Sequence, residues 1–341
     1  MNIRELAHLA QLSAAATSLA LRGSPKVSAA TRERVQALAK KSGYQVDARV
    51  SSVMSHFRKP EAARVAACFG VISFYPHPRP WEKSIHLQRL YDGMERRARE
   101  LGYRVEPLWL RAPRMTPRRF RDILETRGIE GLLCFGSPDF DEEFPAEFDR
   151  CTAVNIGLSI RTPLHRVISH AFNDTLAALD RLHRIGYRRP GLVLSRYEEV
   201  RNGHAHASAY LGWCERRLGL AAARPILRLD QIDVASLDSW LKTEACDALI
   251  FVHPHEGLAQ LQVAVKKLRV RVPQDLGVAA LSQNLEGTGF SGLQENQPVM
   301  GAWAVELLVA RIASRDFGRP ATPRVEMVES RWIDGGSLRK E

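Results

Sequence analysis

The chain has 341 residues, is 45% apolar and 26% charged, and carries a formal net charge of +11. That length exceeds one ordinary core and suits a small domain plus two mid-sized lobes. The composition is that of a globular protein, and no apolar run approaches a membrane span, so a disordered chain and a membrane-spanning one are both excluded. The five cysteines, Cys68, Cys134, Cys151, Cys214 and Cys246, are odd in number and lack paired spacing. Reduced, mostly buried thiols are expected, with neither a disulfide framework nor a zinc site. The positive charge points to an acidic polymer as partner.

The first predicted elements carry most of that charge. Residues 1–60 hold ten Lys and Arg against three Asp and Glu. Ile3, Leu6, Ala7 and Ala10 recur at helical spacing, which predicts a first helix over 3–10. Gln11-Leu12 makes a turn. Ser13 can cap a second helix, Ala14–Leu21, which Arg22-Gly23-Ser24-Pro25 stops. Ser28 caps a third helix with Val35, Leu38 and Ala39 on its apolar stripe, and Gly43-Tyr44 ends it. Three short basic helices in this order are what a helix-turn-helix DNA reader needs. The plainer alternative is a solvated three-helix bundle.

From Arg64 onward strands alternate with helices. Strands are predicted at Val65–Phe74, Tyr103–Leu110, Gly131–Phe135 and Thr152–Ile156. Helices are predicted at Leu87–Leu101, from the Thr116 cap to Glu125, and at Glu142–Phe148. The pattern then repeats. Strands fall at Arg166–Ser169, Pro190–Ser195, Ile226–Leu229, Ala248–Val252 and Leu276–Leu281. Helices fall at Thr175–Ile185, His204–Leu218, Ser236–Lys242, Gly257–Leu268 and Val299–Ser314, before a closing strand at Arg324–Arg331. Such alternation implies parallel sheets covered by helices on both faces.

Residues in both parts carry a family resemblance. Ile3-Arg4-Glu5-Leu6-Ala7-His8-Leu9-Ala10, the run Ser13–Ser24, Val27–Val35 and Gly43-Tyr44 resemble, without a gap, the head of the lactose-repressor (LacI/GalR) family of bacterial transcription regulators. Gly186–Gly191, Val272–Val278 and Met300-Gly301 running through Ala304–Leu308 are similar to its body, at turns and core positions that report fold. The resemblance implies an α/β chain: a three-helix helix-turn-helix head (1–45), a hinge segment (46–62), and a two-lobed periplasmic-binding-protein-like body of parallel sheets flanked by helices (63–341). It implies a cytoplasmic homodimer that grips a palindromic double-stranded DNA operator, joined through the lobes. A small-molecule effector, a sugar or sugar derivative, would sit between the lobes. No signal peptide is expected before the first helix. The run from Gly335 to Glu341 is too short for a tetramerising coil.

Carried over position by position, the resemblance gives DNA-binding candidates: Ser13, Ala14, Ala15, Thr17, Ser18 and Leu19 in the reading helix, and Arg22 and Lys26 at phosphates. Arg49, Val50, Val53 and Met54 belong to a hinge helix that would wedge into the minor groove. Two departures stand out. Ala14, Ala15 and Leu19 are small or apolar where the family often has polar residues and Arg, so only apolar base contacts are open to them. Val46-Asp47 and Val53 stand where the family commonly has Pro-Asn and a Leu wedge.

The effector positions depart further. Ala209 replaces an Arg, Pro254 and the Ser282-Gln283-Asn284 run replace Asp residues, and His170-Ala171 replaces an Asp-Asn pair. From the residues themselves, candidates at strand C-terminal ends are Tyr75, Trp81, Ser137, Arg201, His253, His255 and Gln283, where open α/β folds bind ligands. His253-Pro254-His255-Glu256 is a weak metal pattern, and no metal or cofactor is expected. No nucleophile elbow, Walker loop, dinucleotide fingerprint or zincin helix is present, so no enzyme is expected. Two alternatives stay open: a small-molecule-binding module with a weak or vestigial head, and a regulator without a small ligand.

Overall fold

The computed structural model describes residues 3–21, 27–42, 67–140, 142–146, 148–219 and 225–340, with backbone alone at Ile3, Arg4, Ala15 and His255. The chain divides into two units, Met1–Val65 and Ala66–Glu341.

The first unit holds α1 (Ile3–Leu9), α2 (Ala14–Leu21) and α3 (Ala29–Lys41). The apolar stripe read from the sequence meets inside it. Leu6, Ala7, Ala10, Ala20, Val35 and Ala39 are buried, and Leu12, Leu21, Val27 and Leu38 pack around them. Ser13 Oγ accepts from the Ala16 amide (3.1 Å) and Ser28 Oγ from the Thr31 amide (3.3 Å), so both predicted caps form. The Arg34 guanidinium donates to the Ala10 carbonyl (3.1 Å), tying α3 to the end of α1.

The second unit contains two sheets. Its elements run β1 (Cys68–Ser73), α4 (Ile85–Glu100), β2 (Arg104–Trp109), α5 (Pro117–Thr126), β3 (Gly131–Cys134), β4 (Thr152–Ile156) and β5 (His165–Ser169). They continue with α6 (Ala171–Arg184), β6 (Pro190–Leu194), α7 (Arg196–Arg201), α8 (Ala205–Leu218), β7 (Leu227–Arg228), α9 (Val234–Glu244), β8 (Ala248–Val252) and α10 (His255–Leu268). The last are β9 (Gly277–Ser282), β10 (Ser291–Gln294), α11 (Gln297–Ala313), β11 (Val325–Val328) and β12 (Arg331–Ile333). The first sheet has the order β11-β5-β4-β3-β1-β2 and is parallel throughout. The second is β12-β10-β9-β8-β6-β7, parallel except for β12. Each sheet has an apolar cluster on both faces, which is why its central strands read as continuous apolar runs.

The chain crosses between the lobes three times: from β5 into α6, from β10 into α11, and from β11 into β12. The last crossing corrects the single closing strand expected over Arg324–Arg331. Glu329 and Ser330 interrupt it, and its two halves join different sheets. The helix expected over Glu142–Phe148 is also absent. Glu142 forms a lone bridge with Ile160, and the Phe144 amide donates to Thr162 Oγ1 (2.8 Å). Pro145 has no amide for a helical bond. Phe144 and Phe148, whose spacing imitated a helix face, are both buried.

The α4 and α11 helices touch backbone to backbone on the first lobe. A methyl on Gly93 would run into the Pro298 carbonyl, and one on Gly301 into the Leu90 carbonyl. This pair binds the start of α11, next to a crossing, to the helix whose first turns face the cleft.

Candidate functional site

In the head, α2 presents one open side. Ala14 is exposed, Ser18 and Leu19 are half-buried, and Ser13 is exposed at the cap. Thr17 departs from the expectation. It is 0% exposed and its hydroxyl has no hydrogen-bond partner, so it is a core residue and not a reader of bases. The reason is helical spacing: Thr17 shares its face with Ala20 and Leu21, which turn into the bundle. Arg22, Lys26, Arg49, Val50, Val53 and Met54, with the hinge segment, lie outside the described residues, and of Ala15 only the backbone is described.

In the body, a cleft of about 780 Å³ opens with walls from both lobes. Tyr75, Ser137, Arg201 and Gln283 all line it. Two others do not. Trp81 is 5% exposed, in a single 3₁₀ turn (Pro80–Glu82), stacked on Tyr91 with ring centroids 4.4 Å apart. His253 is buried, stacked on Phe251, and its Nε2 donates to the Leu229 carbonyl (3.1 Å). Both are packing residues because their strand or turn directs them into a core. His255 is described by its backbone alone, at the start of α10, but its neighbours Pro254 and Glu256 line the cleft. Among the described residues no three His, Cys, Asp or Glu side chains group as metal ligands.

The chemistry of the cleft gathers on α7, which, like β10, was not among the elements expected from the sequence. Ser195 caps it, its Oγ accepting from the Glu198 amide (3.1 Å). Arg201 Nη1 donates to Glu198 Oε2 (3.0 Å) and to Glu295 Oε1 (3.3 Å). Glu295 follows β10, so this pair ties α7 to the second crossing. With its amide oriented to suit its neighbours, Gln283 Oε1 accepts from both Arg201 Nη1 (3.1 Å) and Nη2 (3.0 Å), and its Nε2 donates to His86 Nδ1 (3.3 Å). Asn202 Nδ2 donates to Glu198 Oε2 (3.0 Å). The two carboxylates hold Arg201 charged, outweighing the opposing effect of burial. Burial pushes the Tyr75 hydroxyl up to about 12. On the first lobe's side, Ser137 Oγ donates to Glu142 Oε2 (3.1 Å), which also accepts from Arg111 (2.9 Å).

Behind the cleft a polar space of about 20 Å³ lies against all three crossings. Asp174 Oδ2 accepts from the Ser330 hydroxyl there (2.7 Å), and His206 Nδ1 bonds Thr175 Oγ1 (2.8 Å). Burial raises the Asp174 carboxyl to about 6 and lowers His206 to about 4.

Sequence reasoning missed His86, Tyr197, Glu198, Asn202 and Glu295, all of which line the cleft, as do His170 and Glu256, named from the sequence only as a family departure and in a weak metal pattern. One signal was available: Ser195-x-x-Glu198 is a capping-box pattern that marks a helix start.

No described helix is long and apolar enough to cross a membrane. Residues 2–47 match the model of bacterial regulatory proteins of the lacI family, and residues 179–338 match a periplasmic binding protein-like domain. No curated protein sequence matches the chain. Among solved structures, a transcriptional regulator CelR–cellobiose complex superposes with a TM-score of 0.56 at 18% identity, covering 99% of each chain. The lac repressor dimer bound to operator and the anti-inducer ONPF gives 0.56 at 14% identity, again over 99% of each. A periplasmic binding protein/LacI transcriptional regulator from Alkaliphilus metalliredigens, complexed with D-xylulofuranose, gives 0.56 at 14% identity over 80% of this chain and 99% of its own. At these identities the structural likeness speaks for the fold. The two matched models together span more than half the chain, head and body alike, and they make it a member of the lacI family: a DNA-binding transcription regulator with a periplasmic-binding-protein-like body.

Proposed function

We propose that the protein acts as a homodimer on a palindromic operator and that a small polyhydroxylated molecule in the inter-lobe cleft controls its grip. The carrying observation is that the Arg201 network, one wall of the cleft, is fastened to a crossing through Glu295. A ligand held between the lobes therefore acts on the segments that set their relative position. One arrangement of the lobes favours tight DNA binding, and the ligand shifts the balance between arrangements. By linkage, operator DNA changes ligand affinity by the same factor. A dimer is required because each head supplies one half-site. Aromatic side chains at the cleft, Tyr75 and Tyr197, suit the apolar face of a sugar ring, and the neighbours solved with cellobiose and D-xylulofuranose point the same way.

The deciding experiment is selection of fragments of the source genome by the purified full-length protein at physiological salt. Enrichment of one palindrome is expected. Uniform recovery would sink the reading of the head as a sequence reader. That second reading, a weak or vestigial head, draws on the apolar Ala14 and Leu19 and on the burial of Thr17. It predicts DNA binding only at low salt, where phosphate contacts alone suffice.

A further inference from the structure

We propose that the cleft is built for a ligand carrying a positive charge, a protonated amine on a small polyhydroxylated body such as an amino sugar, and that it turns away phosphorylated and carboxylated ligands. The inference rests on the reading of this cleft as the effector site. It starts from a charge count. The lining residues include the carboxylates Glu198, Glu256 and Glu295 against the cations Lys83 and Arg201. The network behind Ser137 adds Asp139 and Glu142 against Arg111 alone.

The arrangement matters more than the count. Arg201 is the one guanidinium among the described lining residues, and an anionic ligand would have to bind it. Its Nη1 is shared by two carboxylates, and both terminal nitrogens also face the Gln283 oxygen. Two carboxylates over one guanidinium leave the base of the cleft net negative. Lys83 is exposed, its Nζ 3.4 Å from His77 Nε2. An incoming phosphate would therefore break existing charge-assisted bonds and face Glu198 and Glu295 at close range.

The carboxylates, by contrast, have acceptor capacity left. Each can accept about four hydrogen bonds. Among the described residues Glu295 accepts one, at Oε1, and Glu198 accepts at Oε2 from Arg201 and Asn202, leaving its Oε1 unused. An ammonium group offers three donors to such oxygens.

The aromatic residues agree. Tyr197 lies within the field of Glu198, Glu256, Glu295 and Arg201. Its ring stands 5.2 Å from that of Phe140 in the other lobe, and it is 40% exposed. A partly exposed tyrosine ring beside carboxylates attracts a cation through the ring quadrupole as well as through charge.

The test uses the full-length protein and three probes with one carbon skeleton: glucosamine, glucose and glucose 6-phosphate, with the galactose and mannose series in parallel. Calorimetry and melting shifts are read at a pH where the amine is protonated. The amino sugar of one series is expected to bind about tenfold tighter than its neutral parent, with no binding of the phosphate, since a charged acceptor roughly doubles the strength of a hydrogen bond. Glu295→Gln keeps an acceptor for Arg201 and should remove most of that advantage, lowering the affinity for the amino sugar severalfold more than that for the neutral parent. Glu256→Gln, on the exposed rim, supplies a variant with little bearing on folding and should reduce the advantage severalfold. Tightest binding by a phosphate, or an amine preference that survives Glu295→Gln and Glu256→Gln together, would overturn the inference. Binding of neutral parents alone would overturn it while leaving the effector reading standing. Silence from every probe alongside a recovered operator would overturn both.

Discussion

Leu19 stands half-buried on the open side of α2, where an alkyl group can meet a base edge only through apolar contact. Leu19→Arg supplies a fork matched to guanine. It is expected to move the preferred half-site toward guanine at one position, with discrimination of about 1–3 kcal/mol, read by repeating the genomic selection. Asp174 and His206 make a second residue-scale prediction, because burial drives them in opposite senses. The Asp174 carboxyl is raised from 3.8 to about 6, so its protonated form favours the fold. Its contribution is full at low pH and is lost as the pH rises through the folded value. His206 is lowered from 6.5 to about 4, so its neutral form favours the fold. Its contribution is full above the unfolded value and is lost as the pH falls. Between those limits the two slopes oppose each other, each amounting to about 3 kcal/mol. Asp174→Asn should gain stability over the wild type as the pH rises across that window, and His206→Gln as it falls. Denaturant midpoints across the window check both; parallel curves for variant and wild type would refute them.

Elements with clear caps and stops or continuous apolar runs were legible in the sequence: α2, β4 and β8 fall where they were expected, and most others within two residues or so. The failures have local causes. The α7 helix has six residues, too few for an apolar stripe to repeat, yet it carries Tyr197, Glu198 and Arg201. The β10 strand reads Ser-Gly-Leu-Gln, with no strand-like composition. Gly292 is there because a side chain would collide with the Ala280 carbonyl of β9, a constraint visible only in the folded sheet. Since α7 and the residue after β10 hold the Arg201 network, the site was less legible than the fold for that reason. Tyr75 and Gln283 were found because they follow recognisable strands, whereas Trp81 and His253 follow the same rule and turn inward. At the α4–α11 contact the prediction concerns packing. Gly93→Ala and Gly301→Ala should each destabilise by about 1–3 kcal/mol, and the double variant should depart from additivity because both methyls push the same two helices apart. Urea unfolding measures this. Additive, sub-kilocalorie effects would show that the helices separate freely.

At the scale of the body, the lobes are held together across the cleft by Arg89, whose guanidinium donates to Asn284 (3.2 Å) and Glu286 (2.8 Å), and by the Phe140–Tyr197 pair. Arg331 approaches Glu286 from the other side. These ionic contacts are partly exposed, so each is worth little, about 0–1 kcal/mol. Arg89→Ala is accordingly expected to weaken effector binding by no more than about fivefold and to enlarge the free protein in solution scattering. An unchanged scattering profile would mean that the ion pair does not hold the lobes closed. The three crossings carry a different consequence, one about timing. The β11 strand completes the first sheet beside β5, and β12 completes the second beside β10, only two residues apart near the end of the chain. Synthesis proceeds from the N-terminus. The head can therefore fold early on the ribosome, while both lobes wait with unpaired edges until Val325–Ile333 emerges. A nascent chain stalled before Val325 should expose β5 and β10 together, and should be cleaved by protease in both lobes at once.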